Sequence, residues 1–240
     1  EVPPRSQLYW RGLVFSMLED GAWRSLRWRD IPGDARRAEA PTLVGDYVDY
    51  SVIMEPTQQN WLYALRYATT DNRGIVNVND FRLVSPVEVQ DQKRYVVRSW
   101  LDVPLELDLS NWRRGVELAL PPGGNPRTRG LAQSMFTDAG RNPRRFVDDV
   151  LLMFRRQAFY YTLQPPRLQG ERMDQFLFES QRGFCEHYAA AFAWLMRAAG
   201  VPARVVVGYQ GGEINPVNGT VIVHQFDAHA WNEVWLEGEG

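Results

Sequence analysis

The sequence predicts an α+β protein, with an antiparallel β module over residues 1–122 followed by a helix-and-sheet core over residues 123–240. Three observations carry this. Apolar and polar residues alternate with period two through the first half, Pro121-Pro122-Gly123-Gly124 breaks the chain, and helical spacing takes over beyond the break. Strands, then helices, then strands again fit an α+β arrangement better than an alternating α/β one.

Val48, Tyr50, Val52 and Met54 alternate with Asp49, Ser51 and Ile53, a pattern rich in β-branched and aromatic residues. Tyr63, Leu65 and Tyr67 repeat it, as do Tyr95, Val97 and Ser99. Asp20-Gly21 between two apolar runs predicts a two-residue hairpin. Residues 30–42, with Pro32, Gly33 and Pro41, read as a long loop. Beyond the break, Asn125-Pro126 and Asn142-Pro143 each place a capping residue before a proline suited to the first helical position. They predict helices over about 127–139 and from 143 onward, the second with a stripe of Phe146, Val147, Val150, Leu151 and Phe154. A third helix runs from about Phe184 to Ala199, stopped by Gly200 and Pro202. Strands then return over 204–209, 220–223 and 228–236.

The chain has 240 residues, 45% hydrophobic, 23% charged and 12% aromatic, which excludes a disordered chain, a collagen-like repeat and a disulfide-stapled miniprotein. A net charge of −2 without a long basic run argues against nucleic acid as a partner. Lys93 is the only lysine, so 26 of the 27 basic residues are arginine. The longest apolar run, Tyr188 to Met196, falls far short of the ~20 residues that span a bilayer. No signal-peptide pattern is present and the chain opens on Glu1, so it reads as a soluble piece of a longer protein.

Cys185 is the residue to weigh first. A lone cysteine is ordinarily a small buried hydrophobe. This one, however, falls at the start of the strongest predicted helix, where the macrodipole and free N–H groups favour a thiolate. Tyr188, Phe192, Leu195 and Ala199 follow on a stripe that anchors the helix. Its base would be a histidine, and there are three. His187 lies about 200° around the helix from Cys185 and reads as solvated or structural. His229, flanked by Ala228 and Ala230 on a predicted strand, leaves room for close approach of a helix, while His224 has the other parity and is the weaker base. Paired metal-ligand spacing, a phosphate loop and a dinucleotide fingerprint are all missing, so no metal or cofactor is expected. Spacing alone makes a cysteine acyl-transfer site one reading, beside ordinary packing roles.

The run Gly183-Phe184-Cys185-Glu186-His187-Tyr188-Ala189-Ala190-Ala191-Phe192 closely resembles the nucleophile helix of the transglutaminase-like superfamily. Arg197 to Tyr209, and Asp227-Ala228-His229-Ala230-Trp231-Asn232-Glu233-Val234-Trp235, resemble the blocks that follow it there. Phe159-Tyr160-Tyr161-Thr162-Leu163 with Pro165-Pro166, and less closely Leu8-Tyr9-Trp10-Arg11-Gly12, are similar to a bacterial membrane-anchored subfamily. In that subfamily a β-rich segment precedes the transglutaminase-like domain, and both lie outside the cytoplasmic membrane.

The resemblance implies a papain-like, transglutaminase-like core over 123–240, with Cys185 as nucleophile and His229 as base. It places the third, acidic member on a strand beyond residue 240, so the chain is expected to stop short of a complete site; Asp227 is a weaker substitute. It further implies a protein-glutamine gamma-glutamyltransferase acting through a thioester, in the periplasmic domain of an inner-membrane protein. Cell-envelope proteins or peptidoglycan peptides bearing amide and amine groups would be its substrates. Tyr161 and Gln181 are candidates for a second oxyanion donor, and Trp231 for a wall of the acyl pocket. The calcium requirement of animal members does not carry over, since no acidic loop of suitable spacing is present. Two other functions compete: a cysteine peptidase or amidase on the same fold, and a catalytically silent module that binds a polymer or partner.

Overall fold

A computed structural model describes residues 2–36 and 41–240; of the loop expected over 30–42, residues 37–40 lie outside the described residues. In chain order come strands β1 (Tyr9–Phe15), β2 (Tyr47–Met54), β3 (Ala64–Leu65), β4 (Tyr67–Thr69) and β5 (Lys93–Trp100). Helices α1 (Asn111–Leu118), α2 (Pro126–Asp138) and α3 (Pro143–Arg156) follow. Then come β6 (Tyr160–Tyr161), α4 (Arg172–Gln175), β7 (Arg182–Gly183), α5 (Cys185–Ala198), β8 (Ala203–Gln210) and β9 (Ala228–Val234). Two units result, and they interleave along the chain. The first holds Glu1–Val14, Leu26–Glu106 and Val206–His229; the second holds Phe15–Ser25, Leu107–Val205 and Ala230–Gly240. The two consecutive blocks read from the sequence, 1–122 and 123–240, mark where the period changes. The units themselves do not divide at one point.

In the first unit β5 is the central strand, with β2 on one side and β4 on the other. It pairs antiparallel with β2 over its whole length, from Lys93↔Met54 to Trp100↔Tyr47. The alternation buries Tyr95 and Val97 against Met54, Leu62, Leu83 and Val89, and leaves Arg94, Val96 and Arg98 exposed. Tyr50 Oη lies 2.8 Å from Ser99 Oγ and accepts the Leu65 N–H at 2.8 Å, so the polar atoms carried inward are satisfied. The single strand expected over 63–67 is two, because Arg66 takes a φ of 31° between β3 and β4 and donates to the Val103 carbonyl at 3.0 Å. A further sheet has the order β9-β8-β1-β3. At Gly208 on β8 an added Cβ would lie 1.9 Å from the Trp10 carbonyl oxygen, so only glycine fits where β8 passes β1.

In the second unit Asp20 and Gly21, both at positive φ, turn the expected hairpin, which pairs Leu18 with Trp23. Helix α1 falls inside the stretch read as β module. It is capped by Ser110, whose Oγ accepts the Arg113 N–H at 3.2 Å. α3 starts as expected, with Asn142 Oδ1 accepting from Arg145 N at 2.9 Å. α2 also starts where expected, but Asn125 does not cap it. Asp174 of α4 does so, accepting from Arg127 N at 3.0 Å, Thr128 N at 2.7 Å and Thr128 Oγ1 at 2.6 Å. Asn125 Oδ1 in turn accepts the N–H groups of Met173 and Asp174. The two helix starts cap each other. Ala191, Ala193, Leu195 and Met196 of α5 are wholly buried, which makes this helix the core of the unit.

Candidate active site

Between α4 and the nucleophile helix the chain makes a wide π turn, Phe176–Ser180, an irregularity often found next to functional residues. Gln181 closes it at a φ of 46°, its N–H donating to the Phe176 carbonyl at 3.0 Å and its Nε2 to the Leu177 carbonyl at 3.4 Å. β7 then pairs parallel with β6: Tyr160 N donates to Gln181 O, and Thr162 N to Gly183 O, each at 2.8 Å. At Gly183 a Cβ would lie 2.7 Å from the Cβ of His187 and 2.9 Å from the Phe176 ring, so the close fit of this turn requires glycine. Cys185 is thus delivered by a tight, doubly bonded crossing.

Cys185 opens α5 as its first residue and is half-buried with a free thiol. Phe184 contributes no side-chain cap; its carbonyl accepts the N–H groups of His187 and Tyr188. Tyr161 lies beside Cys185, its ring stacked on Tyr188 one turn along the same helix. Burial, and then the charge of the neighbouring thiol, push the Tyr161 phenol above its ordinary value of 10.0, so it is an O–H donor throughout the neutral range. Its ring lies on Tyr188 at 6.2 Å and 18°, and Tyr188 is enclosed by Phe154, Phe159 and Phe176 with centroids 5.3–6.0 Å away. Of the candidates named from the sequence, Tyr161 and Cys185 are brought together. The Gln181 amide is engaged by Leu177, and Trp231 is half-buried on β9. Asn232 escaped notice, although it stands in the histidine block. Its Nδ2 donates to Ala189 O of α5 at 3.0 Å and Arg204 O of β8 at 3.5 Å, tying β9 to the nucleophile helix.

His187 packs on Phe184 and Phe176, with ring centroids 4.7 Å and 5.7 Å apart, the structural one of the two roles read for it. His224 stacks on Phe226 at 4.8 Å and lies 3.7 Å from Glu213. Asp227 Oδ2 accepts the His224 N–H at 2.9 Å and so closes the turn that leads into β9. His229, the second residue of β9, is half-buried with its ring 6.3 Å from Tyr9; it belongs to the first unit and Cys185 to the second. Burial pushes the imidazoles of His229 and His187 below their ordinary value of 6.5, so both are neutral at pH 7.

The sign of the resulting pH effect follows directly. A depressed histidine makes its contribution above 6.5, where both states are neutral, and loses it as pH falls through the folded value, because the unfolded chain binds the proton more readily. The melting temperature should therefore drop between pH 7 and pH 5. Thermal melts of the wild type and of a His187→Gln/His229→Gln variant check this. An equal drop in both assigns the effect to other groups.

Among the described residues no three of His, Cys, Asp and Glu gather as a metal site, and no helix is long and apolar enough to cross a membrane. The profile of the transglutaminase-like superfamily matches residues 129–240, and that of the TgpA N-terminal domain matches residues 1–106. The protein-glutamine gamma-glutamyltransferase of Pseudomonas aeruginosa is 41% identical over 240 residues, covering 100% of this chain and 35% of that protein. This chain therefore spans about a third of that relative's length. The uncharacterized protein YebA of Bacillus subtilis is 39% identical over 79 residues, 31% of this chain and 11% of YebA. The crystal structure of the periplasmic domain of TgpA from Pseudomonas aeruginosa matches with a TM-score of 0.91 at 41% identity, over 100% of this chain and 82% of that one. The chain belongs to the transglutaminase-like superfamily, as a periplasmic domain of the TgpA kind.

Proposed function

We propose that this domain carries the acyl-transfer site of a protein-glutamine gamma-glutamyltransferase, with Cys185 as nucleophile and His229 as general base. His229 takes the Cys185 thiol proton as the sulfur attacks a glutamine carboxamide carbon, and the imidazolium so formed gives that proton to the departing ammonia. An amine then takes the acyl group from the thioester, passing a proton back to His229 and releasing the thiolate. The observation that carries the reading is a free thiol on the first residue of a helix, with Tyr161 beside it stacked on Tyr188 of that helix. In this reading the Cys185 N–H and the Tyr161 hydroxyl donate to the oxyanion of the tetrahedral intermediate. In this reading Trp231 walls the acyl pocket, and Gln181 holds the turn before the nucleophile instead of donating to the oxyanion. The substrates are proteins or peptidoglycan peptides of the cell envelope, and the parent protein is anchored in the inner membrane.

The full-length protein, given a glutamine-containing protein and a fluorescent primary amine, should release ammonia and incorporate the amine in equal amounts. Ammonia or peptide release without incorporation would make water the acceptor and the protein a peptidase or deamidase. Neither signal would leave the silent binding module as the better reading.

A further inference from the structure

The same two-residue strand that sends a side chain to Cys185 also exposes an open sheet edge. Tyr160 and Thr162 direct their N–H groups to β7, where Gln181 O and Gly183 O accept them at 2.8 Å. Successive residues of a strand point their main-chain groups to opposite edges, so the N–H and C=O of Tyr161 face away from β7. Among the described residues neither group has a partner, and β6 and β7 form a sheet of two strands only. The edge is open to solvent: Tyr160 is 61%, Tyr161 56% and Leu163 78% exposed, and the Leu163 N–H is also unpartnered. Its length is short and Pro165-Pro166 closes it, which leaves one pairing frame and little scope for indiscriminate strand addition.

We propose that the acyl-donor substrate is an extended polypeptide segment that docks as a third strand on β6, pairing with the main chain of Tyr161 and seating its glutamine opposite that residue. Unpaired N–H and C=O groups in strand geometry are complementary to another extended backbone and to little else. Residues directly opposite each other in a sheet share a face. A glutamine paired with Tyr161 therefore sends its carboxamide to the face of β6 on which the Tyr161 ring lies against Tyr188 of the nucleophile helix. Glutamines inside helices lack the extended backbone and are excluded as donors. The choice of glutamine rests on the acyl-transfer reading above; the strand docking does not.

The test uses a fluorescent, unstructured glutamine peptide and full-length protein carrying Cys185→Ala, so that binding is read without turnover. Single N-methyl groups are placed on the glutamine and on each neighbour. Strand docking predicts that one methyl position weakens binding roughly tenfold, the size expected for loss of one well-formed hydrogen bond, while methylation on the opposite edge changes it less than twofold. Leu163→Pro, which removes one N–H from the edge, should weaken the unmethylated peptide several-fold, with circular dichroism confirming that the variant is folded. A methyl scan with no dependence on position overturns the proposal even if Leu163→Pro fails to fold. Position-dependent binding with no amine incorporation by the wild type would keep the docking strand and remove the transglutaminase reading. Incorporation with a flat scan would do the reverse.

Discussion

Cys185→Ala is expected to abolish amine incorporation, a loss on the order of 10⁴-fold or more, and His229→Ala to cost on the order of 10³-fold. The first figure follows from removing the only thiol of the chain. Without it no thioester forms, and direct attack of an amine on a carboxamide lacks a covalent intermediate. The second reflects loss of proton transfer at both steps, with the oxyanion donors left in place. Groups that act as one unit are not additive, so the double variant should be no slower than Cys185→Ala alone. Alkylation of Cys185 by iodoacetamide supplies an independent readout. If His229 shares the thiol proton, His229→Ala shifts the pH dependence of alkylation upward; a profile identical to wild type would deny it the role of base. Circular dichroism separates these effects from unfolding. Incorporation that survives in Cys185→Ala would sink the nucleophile assignment outright.

The parts of this protein legible in the sequence are those that local pattern determines. β2 and β5 are long, with one face half-buried in β2 and buried in β5, so their alternation shows both their existence and their orientation. The hairpin at Asp20-Gly21 and the start of α3 at Asn142-Pro143 are specified by adjacent residues, and both occur as read. Where partners come from far along the chain, local reading gives the position without the cause. Asn125-Pro126 marks the start of α2, yet the cap arrives from Asp174, and Asn125 is engaged by the other helix. Arg66 interrupts an apparently continuous strand because its guanidinium reaches Val103. α1 is short and carries Gly115, a poor helix former, so it was overshadowed by the strands before it; its one local signal, Ser110, is the residue that caps it.

The candidate site divides in the same way. Cys185 is legible because a helix start is a local feature with a local electrostatic consequence. The contact of Tyr161 with it is not, because the parallel crossing of β6 and β7 depends on a π turn that has no compositional mark. Block resemblance pointed to the neighbourhood of Tyr161, and the structure lays its ring on Tyr188, one turn along the nucleophile helix from Cys185.

Arg197→Met should destabilise the protein by about 4 kcal/mol, although Arg197 touches none of the proposed chemistry. Its side chain is buried at 4% exposure and donates to four main-chain carbonyls: Ala203 at 2.8 Å, Val116 at 3.3 Å, Ala119 at 2.9 Å and Ser16 at 2.8 Å. Val116 and Ala119 lie at the C-terminal end of α1, where Val116 O takes the Ala119 N–H at 3.3 Å and a positive charge is favourable. The guanidinium lies over Trp23, 4.7 Å from its ring centre, so a planar cation is held by packing as well as by hydrogen bonds. Burial pulls its pKa down to about 10, partly offset by Glu117, and it stays charged at neutral pH. Methionine would recover the cost of burying the charge but would orphan several acceptors at roughly 1–3 kcal/mol each, and the acceptors dominate. At about 2–4 °C per kcal/mol for a chain of this size, the melting temperature should fall by roughly 8–16 °C. Arg197→Lys keeps the charge without the planar fork, cannot reach four carbonyls with three N–H groups, and should lose about half as much. A loss below about 1 kcal/mol in Arg197→Met would mean that the segments joined by this residue hold together without it.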